Sequence, residues 1–266
     1  MFTDPHPFAD LLARAVTEAG IVSQAYSAFH GFSLGNQLLA FVQCAERDIE
    51  PGPIATFMGW KDKARYVRKG EKALTLCMPI TVKRRDDAEE TPETFTRFIF
   101  RPNWFVLAQT DGQPFEPLPL PTWDAARALT ALDITEEPFT KTDGNCQGYA
   151  HHRTIAVSPV AELPHKTRFH EVAHVVLGHT AEATGAAQTT DDATTPRSLR
   201  EVEAEAVALV CLEALGLPGA DHCRGYIQHW NARREAEPIP ERSAQRILKA
   251  ADQILRAGRD AESRLA

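Results

Sequence analysis

Cysteine is scarce and unpaired in this chain. The five, Cys44, Cys77, Cys146, Cys211 and Cys223, are scattered through 266 residues with no two close in sequence. An odd, dispersed set argues against a disulfide framework and against a cysteine-built zinc site. Long apolar runs are missing too: none approaches the roughly 18 uncharged residues that a membrane-spanning helix needs. The opening "MFTDPHPFADLLARAVTEAG" has no basic start and no apolar stretch ahead of a small-residue cleavage site. It does not read as a signal peptide, so the expected address is cytoplasmic, with no membrane partner. No internal repeat is visible. Positive charge is also short. Lys and Arg number 29 against 36 Asp and Glu, a net −7 that does not advertise nucleic-acid binding by the chain as a whole.

What is there is an ordinary globular composition with an uneven charge distribution. Hydrophobic residues make up 43% and charged residues 24%, enough for one large or two modest domains. Between Gly59 and Arg101, eleven cations face seven anions. A local basic field in an acidic chain points to a polyanion. Within it, Arg65, Arg68, Lys69 and Lys72 lie close to Trp60 and Tyr66, and Gly70 lets the "RKGEK" turn offer backbone N–H groups to a phosphate. Cations with flat rings are what single-stranded nucleic acid requires. For Trp60 there is a plainer reading, a core ring. For Asn36 there is also one, an amide that orders its local backbone.

The periodicity predicts an α+β chain in two parts. Residues 6–29 read as an amphipathic helix, and Ser33 as the N-cap of a second helix, "LGNQLLAFVQCAERD". A short helix, the basic turn and two or three strands follow, interrupted by a charged loop, "DDAEETPET". "DGQPFEPLPLPTWD" carries four prolines in fourteen residues and marks a boundary between parts 1–120 and 121–266. The second part reads as mainly helical with a small sheet: a helix, a strand pair over "GNCQGYAHHRTIAVSP", and four more helices. A polar, mobile loop is expected over 180–198.

Chemistry concentrates in "TRFHEVAHVVLGHT". His170, Glu171 and His174 match H-E-x-x-H. On a helix, positions i and i+4 share a face, so two imidazoles can reach one ion while the glutamate between them handles a proton. Leu177 and Thr180 stand where a longer H-E-x-x-H-x-x-G-x-x-H pattern needs glycine and histidine. His179 therefore reads as a residue closing the helix after Gly178. A third ligand is sought in "EVEAEAVA", where Glu201 and Glu205 share a face, Glu203 reads as solvated, and alanines allow close approach. His151 and His152 read as surface strand histidines rather than oxyanion donors.

"FHEVAHVVLGH" followed by "EVEAEAVA" resembles the metallopeptidase domain of ArdC-type antirestriction proteins and their ImmA/IrrE and SprT-like relatives. "FSLGNQLLAFVQ", "TFMGWKDKARYVRKGEKALTLCMPI" and "WFVLAQTDG" are similar to the N-terminal single-stranded-DNA-binding domain of ArdC proteins. The resemblance implies a zincin-like second domain holding Zn2+ through His170, His174 and Glu201. It also implies Glu171 as the general base, and Glu205 accepting from a ligand histidine, with Glu205 as the alternative ligand. It further implies single-stranded DNA and a protein substrate as partners. Two other roles fit the same residues: a DNA-binding shield with a structural metal site, or a regulatory peptidase acting on a repressor.

Overall fold

The computed structural model describes residues 6–83, 94–142, 144, 146–180, 196–233 and 239–260. The charged loop expected at 86–94 lies outside these apart from its last residue, and the polar loop expected at 180–198 lies outside them apart from its two ends. Mixed helix and sheet give the α+β class.

Three helices open the chain: α1 (Phe8–Thr17), α2 (Ile21–Phe29) and α3 (Leu34–Glu46). The single helix expected over 6–29 is two. Gly20, at φ +84°, takes the left-handed conformation and turns the chain between them. Then come β1 (Ile54–Thr56), α4 (Phe57–Asp62), β2 (Arg65–Val67), β3 (Leu74–Lys83), β4 (Thr94–Val106) and β5 (Thr110–Gly112). β1, β4 and β3 form an antiparallel sheet in that order, and β2 pairs with β5. The edge of β3 is closed by α3. The Asn36 amide donates to Cys77 O and accepts from Cys77 N, and Gln43 does the same at Thr75. Two amides thus satisfy an edge that would otherwise offer free backbone groups.

The second half holds α5 (Ala125–Ala131), β6 (Thr135–Glu136), β7 (Gly148–His151), β8 (Thr154–Val157), α6 (Pro164–Val176), α7 (Arg197–Leu215), α8 (Ala220–Arg233) and α9 (Glu241–Ala257). The expected strand pair is β7–β8, and β6 adds a short parallel strand, leaving β7 at an edge. Every residue of α7 from Val202 to Ala214 is buried. This helix is enclosed on every side, its buried Glu203, Glu205 and Glu213 included, and α6, α8, α9 and α2 all pack on it.

The two halves share one continuous cluster of buried side chains, from Leu11 and Leu38 to Leu209 and Ile254. The N-termini of all three opening helices are met by carboxylates of the second half. Glu241 accepts from Phe8 N and Ala9 N, Glu213 from Gly20 N, and Asp252 from Leu34 N at 3.0 Å. Ser33 occupies the N-cap position of α3, but its side chain makes no capping hydrogen bond. A carboxylate at a helix N-terminus satisfies unpaired N–H groups and complements the helix dipole. Among the described residues no helix is long and apolar enough to cross a membrane.

Candidate metal centre

α6 and α7 pack face to face, and Ala204 and Ala208, both fully buried, let the two backbones approach closely. That brings His170 and His174 of α6 opposite Glu201 of α7. Their ligand atoms lie within 4.8 Å of one another. His170 Nε2 and His174 Nε2 are 3.2 Å apart, and Glu201 Oε2 is 3.4 and 3.6 Å from them. Two imidazoles and one carboxylate converging this closely are the donor set of a divalent-cation site.

Glu205 reaches His170 from the other side. Its Oε2 lies 2.9 Å from His170 Nδ1, and its Oε1 takes an ion pair from Lys166 Nζ at 2.8 Å. Glu201 thus faces the ligand side of the rings and Glu205 the back of one of them. Burial opposes charge on His170, but hydrogen bonds to Glu201 and Glu205 outweigh it and raise its pKa to about 9. The same bonds, led by those from His170 and His174, hold Glu201 well below the usual carboxylate range. Glu171 lies beside the cluster, buried, with its pKa pushed up by that burial.

Two residues read otherwise from the sequence belong to this network. His179 follows Gly178 (φ +78°), and its backbone N–H does close the helix on His174 O at 2.9 Å. Its ring turns inward as well: Nδ1 lies 3.0 Å from His174 Nδ1, and Nε2 lies 2.9 Å from Glu203 Oε2. Glu203, expected on a solvated face, is 0% exposed. No motif spacing signalled either residue, because their contact is made between helices.

The cluster opens into a cleft of about 780 Å³ lined on one side by β7 residues Gly148, Ala150 and His151. A Cβ at Gly148 would stand 2.6 Å from Thr167 Cγ2 and 3.0 Å from Glu171 Oε1, so only glycine lets the strand lie this close to α6. His151 Nε2 is 3.1 Å from Glu137 Oε1 at the rim. His152 occupies the hairpin turn at φ +49°.

The basic segment is assembled differently from its sequence reading. Trp60 is 0% exposed and donates from Nε1 to Phe105 O at 2.7 Å. A ring enclosed this way cannot stack on a base, so Trp60 belongs to the core. Asn36 spends its whole amide on Cys77 and is likewise removed as a nucleic-acid contact. Arg65 is held by Thr110 and Gln113, and Arg68 by Ala108 O, Glu71 and Asp111. Gln109, buried, anchors the turn by accepting from Val106 N and donating to Glu71 and Lys72 O. Lys69, Lys72 and the neighbouring Tyr66 stand exposed, Tyr66 by 60%.

Residues 13–102 match the family model of the N-terminal domain of anti-restriction factor ArdC. Two crystal structures of the antirestriction ArdC protein from the R388 plasmid are similar to the chain. The metal-free one has a TM-score of 0.54 at 19% identity, covering 94% of each chain. The Mn(II)-bound one has a TM-score of 0.55 at 20% identity, covering 97% of this chain and 98% of the other. No curated protein matches the sequence. The N-terminal part of the chain thus matches the ArdC N-terminal domain, and its fold along nearly its whole length is similar to that of the R388 ArdC protein.

Proposed function

We propose that the chain is a zinc-dependent peptidase whose N-terminal half binds single-stranded DNA. The observation that carries the reading is the convergence of His170 Nε2, His174 Nε2 and Glu201 Oε2 with a buried Glu171 beside them. Zinc held by those three residues would supply Lewis acidity, polarising a carbonyl and acidifying water.

The rest of the chemistry falls to the chain's own groups. β7 is an edge strand along the cleft, so its backbone can pair with an extended peptide. Glu171 accepts a proton from the attacking water at a carboxylate oxygen and passes it to the departing nitrogen. Burial raises its pKa, the direction that suits a group that must both take and give a proton. Lys166 and Glu205 hold the His170 ring in place. For DNA, exposed Lys69 and Lys72 meet phosphates beside Tyr66, with Arg65 and Arg68 shaping the turn that presents them.

A proteolysis assay of the zinc-loaded full chain on casein and on an unstructured peptide, with and without single-stranded DNA, tests this reading. Cleavage that a chelator abolishes and zinc restores is expected. Stoichiometric zinc without cleavage, in the presence or absence of DNA, would instead favour a DNA-binding shield with a structural metal.

A further inference from the structure

We propose that His179 and Glu203 are positioning residues for His174, fixing the tautomer and orientation in which that ring faces the ion. The inference rests on the reading of His174 as a metal ligand and adds two residues outside the motif. His174 turns Nε2 toward His170 Nε2, 3.2 Å away, and toward Glu201 Oε2, 3.6 Å away. A neutral imidazole carries one N–H, so a ring that offers its Nε2 lone pair keeps its hydrogen on Nδ1. That Nδ1 lies 3.0 Å from His179 Nδ1. His174 therefore donates and His179 accepts. The hydrogen of His179 is then on Nε2, which lies 2.9 Å from Glu203 Oε2 and can only donate to it.

Glu203 gives the chain of bonds its direction. A carboxylate with no exposed surface is costly to bury; Glu203 Oε2 is engaged by His179, while Oε1 has no hydrogen-bond partner among the described residues. The carboxylate cannot donate, so it holds the His179 proton on Nε2, and this in turn leaves His179 Nδ1 free to accept. Arg246 of α9 approaches Glu203 Oε1 at 3.9 Å and donates to Leu177 O at 2.8 Å, tying the end of α6 beside the relay. The two ligand rings are thus backed unequally. Glu205 supports His170 directly, while Glu203 supports His174 through a neutral ring. Outer partners of metal-binding histidines are typically worth roughly 10–100-fold in affinity.

The test is zinc affinity of the full chain, by competition with a chromophoric chelator, for the native protein, His179→Leu, His179→Asn and Glu203→Leu. Thermal melts of the metal-free forms report folding. Leucine removes the acceptor, whereas asparagine places Oδ1 near the position of Nδ1. His179→Leu and Glu203→Leu are expected to weaken zinc binding by roughly 10–100-fold, and His179→Asn to recover most of the loss. A role confined to packing would not favour asparagine over leucine. Imidazole 15N spectra of the zinc-loaded native protein need no variant, and are expected to show His174 protonated at Nδ1 and His179 at Nε2. Zinc affinity of a folded His179→Leu within twofold of native, or His179 protonated at Nδ1, overturns the positioning role while leaving the metal site intact. A native chain that takes up no zinc overturns the metal reading and the relay with it.

Discussion

Glu171 and Glu201 are both glutamates at the same centre, yet their surroundings push their ionisation in opposite directions. Glu201 points at two imidazoles that hold it ionised, which suits a ligand. Glu171 is buried, and that burial outweighs the pull of the same two imidazoles and raises its pKa, which suits a proton carrier. Glu171→Gln should therefore keep zinc and fold while lowering peptide cleavage by roughly 10²–10⁴-fold, the usual range for a general base. Elemental analysis beside a kinetic assay checks both halves, and unchanged cleavage by the zinc-loaded variant would rule out the role. Acid–base behaviour gives a second residue-scale expectation. In metal-free protein the His170 pKa of about 9 lies above its ordinary value of 6.5. The protonated ring then stabilises the fold fully below pH 6.5, and that contribution is lost as pH rises through 9. Metal-free protein should melt at falling temperature across pH 6.5–9, and zinc-loaded protein should lack this particular decline. Zinc uptake at pH 7 should also release a proton, visible as a buffer-dependent heat. A flat melting temperature in the metal-free form would show that the Glu201–Glu205–His170 cluster is not charged as described.

At the scale of elements, the turn between β2 and β3 divides its cations into those that build it and those left for the proposed DNA contact. Arg65 and Arg68 spend their donors on carbonyls and carboxylates, while Lys69 and Lys72 stay exposed. Changing Lys69 and Lys72 together to alanine should flatten the log–log salt dependence of single-strand binding by about 1.4, from ~0.7 per phosphate contact, with little change in melting temperature. Trp60→Ala should do the reverse in kind, costing ~3–5 kcal/mol of stability through the cavity it leaves. Fluorescence anisotropy of a labelled oligonucleotide over a salt series, run beside thermal melts, separates the two effects. An unchanged slope in the double lysine variant would move the DNA contact elsewhere on the N-terminal half.

For the whole molecule, the carboxylates that start α1, α2 and α3 all come from α7 and α9. The N-terminal sheet is therefore tied to the candidate metal centre through shared helices as well as a shared core. Asp252→Asn and Glu241→Gln should each destabilise the full chain by about 1 kcal/mol, the usual order for a capping interaction. Unfolding followed by tryptophan fluorescence and by zinc release should coincide in a single transition. Two well-separated transitions would show that the halves unfold as independent domains.

The metal-site candidates were legible because H-E-x-x-H is a helical spacing: four residues along one chain set the geometry of His170 and His174 before any packing occurs. The main helices and the β7–β8 pair were legible from periodicity for the same local reason. Glu201 and Glu205 could be narrowed to one face of one helix, but which of them meets the ion side depends on how α7 lies against α6. What tertiary structure decided was every role that depends on a distant partner. Glu203 reads as solvated because its helix neighbours say nothing of His179. Trp60 and Asn36 keep two readings in the sequence, because the partners that decide between them, Phe105 O and Cys77, lie 45 and 41 residues away. Ser33 reads as the cap of α3 because Asp252 is 218 residues from Leu34. Sequence sets what each side chain can donate, accept or bury, and only the packed chain sets which groups come within the roughly 3 Å at which those capacities are used.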